Sequence, residues 1–449
     1  MHITIRTISF LALLALTGVS CHHPVAEQSG EDSSKTATDH WFASAVLYEV
    51  NLRQFTPEGT FQAMERHLPR LKNLGVDLLC LMPVQPASAH EGSAWGNPYA
   101  VADFTGIDPA LGTMGDFRSL VDKIHQQGMH VVIDWTPGTT GKDHHWITRH
   151  PDWYVRTSDG TPRAADGPDA DDRWLLNHAA TGLGDSMKTQ LAYWISATGI
   201  DGFRMDDATA APAGFWQDLR LYLDAIQPVV LLAGRADSST RPYFDAYEEV
   251  ALIDQLEAVA DGTSDAAQLA LYLQRQQAHA VYFTSRHDIN ARRGSVFDQY
   301  GMAAGLFAVL TYTLDGMPML ASGQEVGLKK ALPVYRKDSI SWGDHPFNAL
   351  YDRLGKLRKD NPALRSDSLG GRMQWITPEP SGQVLAFVRD VPGHRIIGLF
   401  NVSDKDATFR LADPRVAGTY RRFTYRDREE LSAQSVLTLG PWGYQLYSY

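Results

Sequence analysis

Short apolar runs alternate with amphipathic stretches over most of the chain. Short runs with few polar positions predict strands that are buried on both faces. Stretches in which apolar residues recur three and four positions apart predict helices. The predicted strands span residues 46–52, 76–82, 129–134, 200–205, 229–233, 281–284 and 319–322, and the predicted helices span residues 61–74, 117–127, 187–197, 215–226, 297–310 and 349–358.

The order of these elements predicts an α/β protein. Strand then helix, repeated about eight times over roughly 300 residues, is typical of parallel β/α units. An open doubly wound sheet is one solution, and a closed (β/α)8 TIM barrel is the other. We favour the barrel because polar residues follow almost every predicted strand, as expected where a site forms at the carboxyl ends of barrel strands.

Two regions depart from the alternation of strands and helices. Residues 138–184 are rich in Asp, Gly and Pro and are too long for an ordinary loop, which predicts a small inserted domain after the third strand. After Arg365, Gly, Pro and Asp separate short predicted strands at 384–389, 396–401, 421–425 and 444–449. This pattern indicates a C-terminal antiparallel β-sandwich. The barrel should therefore span residues 41–362 and the sandwich residues 363–449.

The N-terminal segment predicts export from the cell. Arg6, an apolar run at residues 8–16 and small residues before Cys21 are typical of a signal peptide at residues 1–20. Ser20-Cys21 resembles a bacterial lipoprotein cleavage site, and a plain secretory signal is the alternative. Residues 21–40 are polar and predict a flexible tether. We expect a periplasmic protein or an outer-membrane lipoprotein of a bacterium, attached through lipidated Cys21.

Composition and charge exclude some functions. The chain has 449 residues, of which 44% are hydrophobic and 21% are charged, as in ordinary soluble proteins. A net charge of -11 gives no electrostatic footprint for nucleic acid. Cys80, the only cysteine besides Cys21, lies in a predicted strand, so no intramolecular disulfide is expected in the mature chain.

The segment from Asp201 to Asp206 is the most informative for chemistry. Arg204 lies two residues before Asp206, and alternate residues of a strand point to the same face. A guanidinium beside a carboxylate keeps that carboxylate ionised, which suits a nucleophile. A structural salt bridge would use the same two residues, so the interpretation depends on the other motifs of the chain.

Several motifs, taken in order, resemble those of one known family. They are Leu47-Tyr48-Glu49-Val50-Asn51, His130-Val131-Val132-Ile133-Asp134-Trp135, Asp201 to Asp206, His287-Asp288, Ser322-Gly323-Gln324-Glu325 and Lys337-Asp338-Ser339-Ile340-Ser341-Trp342. From about Trp41 onward the chain resembles the α-amylase family of retaining α-glycoside hydrolases (glycoside hydrolase family 13). The resemblance implies a (β/α)8 barrel with an inserted domain and a C-terminal β-sandwich. It also implies an α-glucan or maltooligosaccharide as the ligand.

The resemblance assigns roles to individual residues. Retaining hydrolysis needs a carboxylate nucleophile and a carboxylic acid that protonates the leaving oxygen, and this family adds a third carboxylate. By resemblance Asp206 is the nucleophile and Asp288 is the third carboxylate, which makes these two the catalytic candidates. The substrate-binding candidates are Tyr99, Asp134, Arg204 and His287.

One catalytic group of the family is missing from the sequence. The general acid is a Glu directly after the fifth strand, and Gly234 stands there, so the general-acid position has no carboxyl group. Gly138-Thr139 replaces an Asn-His pair, and Arg286 stands where Asn is common. That His normally grips the sugar, and that Asn often helps to hold a calcium ion. We therefore expect no metal and no other cofactor.

Other possible metal ligands are better explained as solvated or incidental side chains. They lack companions at the spacing that metal ligands require. The residues concerned are Asp166, Asp169, Asp171, Asp172, His22, His23, His144 and His145.

The missing proton donor should reduce catalysis strongly. The leaving sugar would have to depart as an alkoxide, and general acid catalysis typically contributes on the order of 100- to 10,000-fold. Asp237 and Glu91 are candidate substitute acids, although both start from displaced backbone. Restoring the carboxyl group with Gly234→Glu is expected to restore some hydrolysis.

Three functional hypotheses remain open from the sequence. The first is a degenerate family member that binds α-glucans with lost or strongly reduced hydrolysis. The second is an active retaining α-glycosidase or transglycosylase that uses a substitute acid. The third is a non-catalytic structural or interaction lipoprotein that binds no sugar.

Overall fold

A closed barrel of eight parallel strands forms the main part of the molecule. The computed structural model describes residues 41–89, 96–166, 172–276, 279–334, 336–423 and 427–449. All of the first ten strands except β4 and β5 belong to the barrel, in the order β1-β2-β3-β6-β7-β8-β9-β10 with β10 paired to β1. The predicted TIM barrel is confirmed, and the open doubly wound sheet is wrong. The ten strands are β1 (Leu47–Val50), β2 (Leu78–Leu81), β3 (His130–Trp135), β4 (Thr139–Gly141), β5 (Arg173–Leu175), β6 (Gly202–Met205), β7 (Val230–Ala233), β8 (Ala246–Glu248), β9 (Ala280–Tyr282) and β10 (Met317–Ala321).

Seven barrel strands coincide with predicted apolar runs, and β8 does not. No strand is predicted over β8 because it has only three residues, one of which is Glu248. It pairs in parallel with β7, with Leu232 opposite Ala246 and Ala233 opposite Tyr247. This short strand therefore closes the barrel and brings a carboxylate to the end of it.

Helices cover the outer face of the barrel. In Met114–Gln126, for example, the apolar residues face inward, and Thr113 and Asp116 form a capping box at its start. The α-helices span Leu52–Phe55, Phe61–Glu65, Leu68–Asn73, Met114–Gln126, Trp146–Arg149, Leu183–Thr198, Ala213–Asp224, Leu252–Ala260, Ala266–Gln274, His287–Arg293, Val296–Tyr300, Ala304–Thr313 and Pro346–Asp360.

Two of the predicted helices are interrupted. The predicted helix at 61–74 is two helices, because Pro69 lies in the first turn of Leu68–Asn73, where its missing N–H is tolerated only at a helix start. The predicted helix at 297–310 is divided by a 3-10 turn that begins at Gly301, whose φ of 52° lies in the left-handed region.

The C-terminal region is an antiparallel β-domain, as predicted. It has a six-stranded sheet in the order β11-β12-β13-β18-β15-β16 and a two-stranded sheet of β14 and β17. The buried Arg389 joins it to the barrel by donating to the main-chain carbonyls of Thr313 and Leu314. These strands are β11 (Gln374–Ile376), β12 (Val384–Val391), β13 (His394–Asn401), β14 (Ala407–Arg410), β15 (Gly418–Arg422), β16 (Arg428–Leu431), β17 (Val436–Leu439) and β18 (Tyr444–Ser448).

The segment between β3 and β6 contains the antiparallel pair β4 and β5 and the short helix Trp146–Arg149. The signal peptide, the tether and Cys21 lie outside the described residues, so export and lipidation stay predictions. In the part of the chain that the structure describes, no helix is long and apolar enough to cross a membrane.

Candidate functional site

Arg204 is the centre of the polar site at the carboxyl ends of the barrel strands. Its Nη1 donates to both carboxylate oxygens of Asp134 at 2.8 Å and to Oδ1 of Asp206 at 3.3 Å. Its Nε and Nη2 donate to the two oxygens of Glu248, the second at 3.0 Å. The buried guanidinium therefore joins three carboxylates, and the contact with Asp206 is the longest of these hydrogen bonds.

Asp206 is the most accessible of these carboxylates. Its side chain is 31% exposed, whereas those of Asp134 and Glu248 are each 2% exposed. It follows β6 directly, where the strand opens into the mouth of the barrel. An accessible carboxylate at this position can approach an anomeric carbon as a nucleophile.

Arg286 binds Asp288 through both carboxylate oxygens. Its Nε donates to Oδ1 at 2.5 Å and its Nη2 to Oδ2 at 3.1 Å, and Arg292 approaches Oδ2 at 3.3 Å. The remaining Nη1 of Arg286 donates to Oε2 of Glu248 at 2.5 Å. Burial opposes ionisation, but Arg286 and His287 outweigh it and hold the pKa of Asp288 below its usual value.

These contacts form one ion-pair network across the barrel mouth. We use this term for Asp134, Arg204, Glu248, Arg286 and Asp288, which alternate in charge in that order. Buried charges are stable only when they are paired and hydrogen-bonded, and each member of the network has such a partner. The two arginines are therefore fixed by carboxylates on either side.

His287 and Tyr99 form a second set of contacts beside the network. Nδ1 of His287 lies 2.7 Å from Oε1 of Glu49, and Nε2 lies 3.0 Å from the Tyr99 hydroxyl. That hydroxyl donates to Oδ2 of Asp134 at 2.8 Å. Burial lowers the pKa of His287, but Glu49 outweighs it, so the net shift is upward. The polar atoms of Tyr99 and His287, two of the four substrate-binding candidates, are thus engaged within the protein.

Asp134 has a strongly shifted pKa. Burial raises it, Arg204 lowers it and the Asp206 charge raises it again, with the result that the pKa of Asp134 is raised to about 6. Arg204 stays charged throughout, because its carboxylate partners raise its pKa further.

The space next to Gly234 is filled by Arg204. A Cβ atom on Gly234 would lie 2.6 Å from the main-chain oxygen of Asp206 and 2.8 Å from Cζ of Arg204, with Nη2 closer still. Such distances do not occur between real atoms, so any side chain at position 234 requires both Arg204 and the main chain at Asp206 to shift. The expectation that Gly234→Glu alone restores hydrolysis does not fit this arrangement.

Gly138 and Thr139 are also part of the local packing. A Cβ atom on Gly138 would lie 2.5 Å from Cβ of Ala210. Thr139 begins β4 and is buried opposite Leu175 of β5. The segment that carries Asn-His in the family is here close-packed against its neighbours.

Asp237, one of the two candidate substitute acids, does not lie in the ion-pair network. Asp237 accepts hydrogen bonds from the main-chain N and the hydroxyl of Ser239 and from the N of Thr240, which fixes it in its own turn. The hydrogen bonds from Ser239 lower the pKa of Asp237, which disfavours the protonated form that a donor needs. Glu91 lies outside the described residues.

The predicted absence of a metal stays a prediction. Within the described ranges, no group of three or more His, Cys, Asp or Glu side chains could hold a metal ion. Asp166 pairs with Arg163, and Asp172 accepts a hydrogen bond from Asn97. His144 is buried and stacks against His145. The other possible metal ligands of the sequence analysis lie outside the described residues; they are Asp169, Asp171, His22 and His23.

Sequence reasoning identified six residues that the structure places together, and it missed two. Glu248 joins Arg204 to Arg286, and Glu49 holds His287. Glu49 stands in a motif that carried the resemblance, so its place in β1 was a usable signal. Glu248 is the last residue of a strand that was not predicted, so only the need of Arg204 for a second partner could have pointed to it. The six are Tyr99, Asp134, Arg204, Asp206, His287 and Asp288.

The closed parallel barrel and the carboxylates at its mouth define a (β/α)8 protein of the class that carries its site at the carboxyl ends of the strands. The chain is similar to members of the α-amylase family over part of its length. The family model described as the catalytic domain of α-amylase matches residues 27–167.

Similar proteins fit this assignment. The α-amylase MalA of Haloarcula japonica is 26% identical over 421 residues, which is 85% of this chain and 59% of that protein. An α-1,4-glucan:maltose-1-phosphate maltosyltransferase of Burkholderia pseudomallei is 27% identical over 84% of this chain and 36% of its own length. The chain thus spans less than two thirds of both relatives.

Solved structures share the fold. A maltogenic α-amylase, AmyB of Thermotoga neapolitana, superposes with a TM-score of 0.80 at 21% identity, covering 91% of this chain and 99% of its own. An α-amylase of Lactobacillus plantarum gives the same TM-score and coverage at 24% identity. At this level of identity these structures support the architecture alone.

Proposed function

We propose that this protein binds α-glucans at the barrel mouth and has lost ordinary hydrolysis. Support for the ligand class comes from the relatives, which are named as α-amylases and maltosyltransferases, and from a related fold solved with maltotriose. The observation that carries the loss of hydrolysis is Gly234, whose side-chain space is filled by the Arg204 guanidinium.

The chemistry of the retained groups supports this proposal. Asp206 remains accessible enough to attack, but glycosidic cleavage also needs a proton for the departing oxygen. A guanidinium cannot supply that proton, because Arg stays charged at any pH that proteins tolerate. The site should therefore turn over only substrates whose leaving group departs without protonation.

The state of Asp288 supports reduced turnover as well. Arg286 occupies both of its oxygens, with an additional contact from Arg292. A third carboxylate that organises a distorted sugar must accept hydrogen bonds from its hydroxyl groups. In this arrangement a sugar would have to compete with a bidentate guanidinium, which is among the strongest hydrogen-bonded pairs in proteins.

The test compares two substrates that differ in leaving group. Maltooligosaccharides need a proton donor, and α-glucosyl fluoride does not. We expect negligible turnover of the first, slow turnover of the second, and calorimetric binding of maltooligosaccharide. Asp206→Asn should abolish the slow reaction and keep the binding.

Two results would contradict the proposal. One is maltooligosaccharide hydrolysis with kcat within the usual enzyme range of roughly 1–1,000 per second that Asp206→Asn abolishes. That result would establish a working glycosidase with another donor. The other is the absence of binding to any α-glucan, which would favour a structural role.

We also propose that the protein is exported and attached to a membrane through lipidated Cys21. The apolar run at residues 8–16 and the Ser20-Cys21 site support this. Labelling of the full chain with a fatty acid should be lost in Cys21→Ser. Equal labelling of both forms would refute the attachment.

A further inference from the structure

Glu248 lies beside the general-acid position on the neighbouring strand. β7 and β8 are parallel, and their register pairs Leu232 with Ala246 and Ala233 with Tyr247. Continuing this register by one residue places Gly234 next to Glu248. A carboxylate therefore stands one strand away from the position where the family has its acid.

The contacts of Glu248 fix the orientation of Arg204. Glu248 accepts from Nε and Nη2 of Arg204, while Asp134 accepts from Nη1 on the other side. Because a guanidinium is planar, two carboxylates on different edges define the plane of the group. That plane is the one that fills the space beside Gly234.

A second departure from the family is connected to the same residue. Arg286 donates to Oε2 of Glu248 and holds Asp288 with its other nitrogens. Glu248 thus links the residue that blocks position 234 with the residue that occupies the third carboxylate. Gly234 and Arg286 are two parts of one arrangement that Glu248 joins.

We infer that Glu248 is the positioning residue that closes the general-acid position by holding Arg204 across it. The inference rests on the proposed function and says how the same site is kept closed. It implies that a carboxylate can be introduced at position 234 when the one at position 248 is removed at the same time. Gly234→Glu with Glu248→Ala keeps the number of carboxylates and the net charge of the site, whereas either change alone alters both.

The first arm of the test measures stability and does not depend on activity. Gly234→Ala adds one Cβ atom, which meets the Arg204 guanidinium and the main-chain oxygen of Asp206. We expect it to lower the thermal unfolding midpoint in the native background and to lower it clearly less in the Glu248→Ala background, where Arg204 can move aside. Equal lowering in both backgrounds would overturn the inference, since Arg204 would then not be held by Glu248.

The second arm measures maltooligosaccharide hydrolysis. Gly234→Glu and Glu248→Ala should each stay inactive, and the double variant should exceed both by on the order of 100-fold, the lower range for general acid catalysis. Its rate should fall at alkaline pH as the new acid ionises. The inference would be overturned if Gly234→Glu alone were as active as the double variant.

Controls separate this inference from the proposed function. Gly214→Glu introduces the same side chain at a glycine whose Cβ position is open, in the first turn of the helix Ala213–Asp224, and it should leave turnover unchanged without lowering stability. Ordinary hydrolysis by the unmodified protein would refute the proposed function and leave the stability arm valid. Absence of coupling in the stability arm would refute the inference and leave the proposed function standing.

Discussion

The two ends of the barrel both bury arginine side chains, but they satisfy them with different acceptors. At the mouth, Arg204 and Arg286 bind carboxylate side chains. At the amino-terminal end, Arg358 donates to the main-chain carbonyls of Ala45 and Gly316. Main-chain carbonyls are fixed by the strands, whereas side-chain carboxylates can be moved by substitution. The chemistry of the mouth therefore depends on which carboxylates its arginines bind.

The largest expected effect comes from removing one arginine at each end. Arg204→Met leaves Asp134 and Glu248 buried without their main counter-ion, which should lower the free energy of unfolding by about 3–5 kcal/mol. Arg358→Met removes a charge whose pKa burial already lowers to about 9, and it leaves neutral carbonyls. Its cost should be about 1–3 kcal/mol, the usual penalty for unpaired neutral groups.

Urea unfolding of both variants measures the difference. Each variant should keep the slope of the unfolding curve and shift only its midpoint, provided that the unfolding remains two-state. An equal loss of unfolding free energy in the two variants would mean that the carboxylates of the mouth rearrange at little cost when Arg204 is removed. The ion-pair network would then not be rigid.

The same contrast explains what the sequence could predict. The barrel was recognisable because strands buried on both faces form short runs with few polar positions, and seven of the eight barrel strands fall in such runs. β8 has three residues and ends in Glu248, so it carries no such run. The strand that escaped prediction is also the strand that supplies the second partner of Arg204.

At the site, residue types were predictable and geometry was not. Period-two alternation placed Arg204 and Asp206 on one face of a strand, and the structure brings them to 3.3 Å. The alternation did not reveal that Arg204 binds Asp134 and Glu248 more closely than it binds Asp206. The direction of a long flexible side chain depends on partners from other strands, which alternation along one strand does not reveal.

A smaller effect is expected from the carboxylate at the amino-terminal end. Asp201 precedes β6 and is bonded by His125 and His130 at 2.9 Å each and by the N of Val131. Burial raises its pKa, but the hydrogen bonds of the two histidines outweigh it and lower the pKa to about 2. The contribution of Asp201 to the free energy of unfolding is present above its unfolded-state pKa of about 4 and is lost as the pH falls through 2.

Asp201→Asn should therefore cost roughly 2 kcal/mol near pH 5, from a pKa shift of nearly two units. The hydrogen bond with Asp201 raises the pKa of His125. The contribution of His125 to stability is therefore present below its pKa in the unfolded chain and is lost as the pH rises. The difference from the native protein, followed by urea unfolding against pH, should be largest between about pH 4 and 6.5. A difference that stays constant from pH 3 to 8 would show that Asp201 acts through packing.

The smallest effect is expected at the rim of the mouth, from Asp237→Ala. Asp237 is held by the N and hydroxyl of Ser239, and Asp261 is held in the same way by Thr263 on a different turn. Because both carboxylates serve only their own turns, Asp237→Ala and Asp261→Ala should behave alike. Turnover of α-glucosyl fluoride and any residual maltooligosaccharide hydrolysis should match the native protein in both. If Asp237→Ala alone removed the residual hydrolysis, Asp237 would be the substitute acid, and the mouth would be open to a donor from its rim.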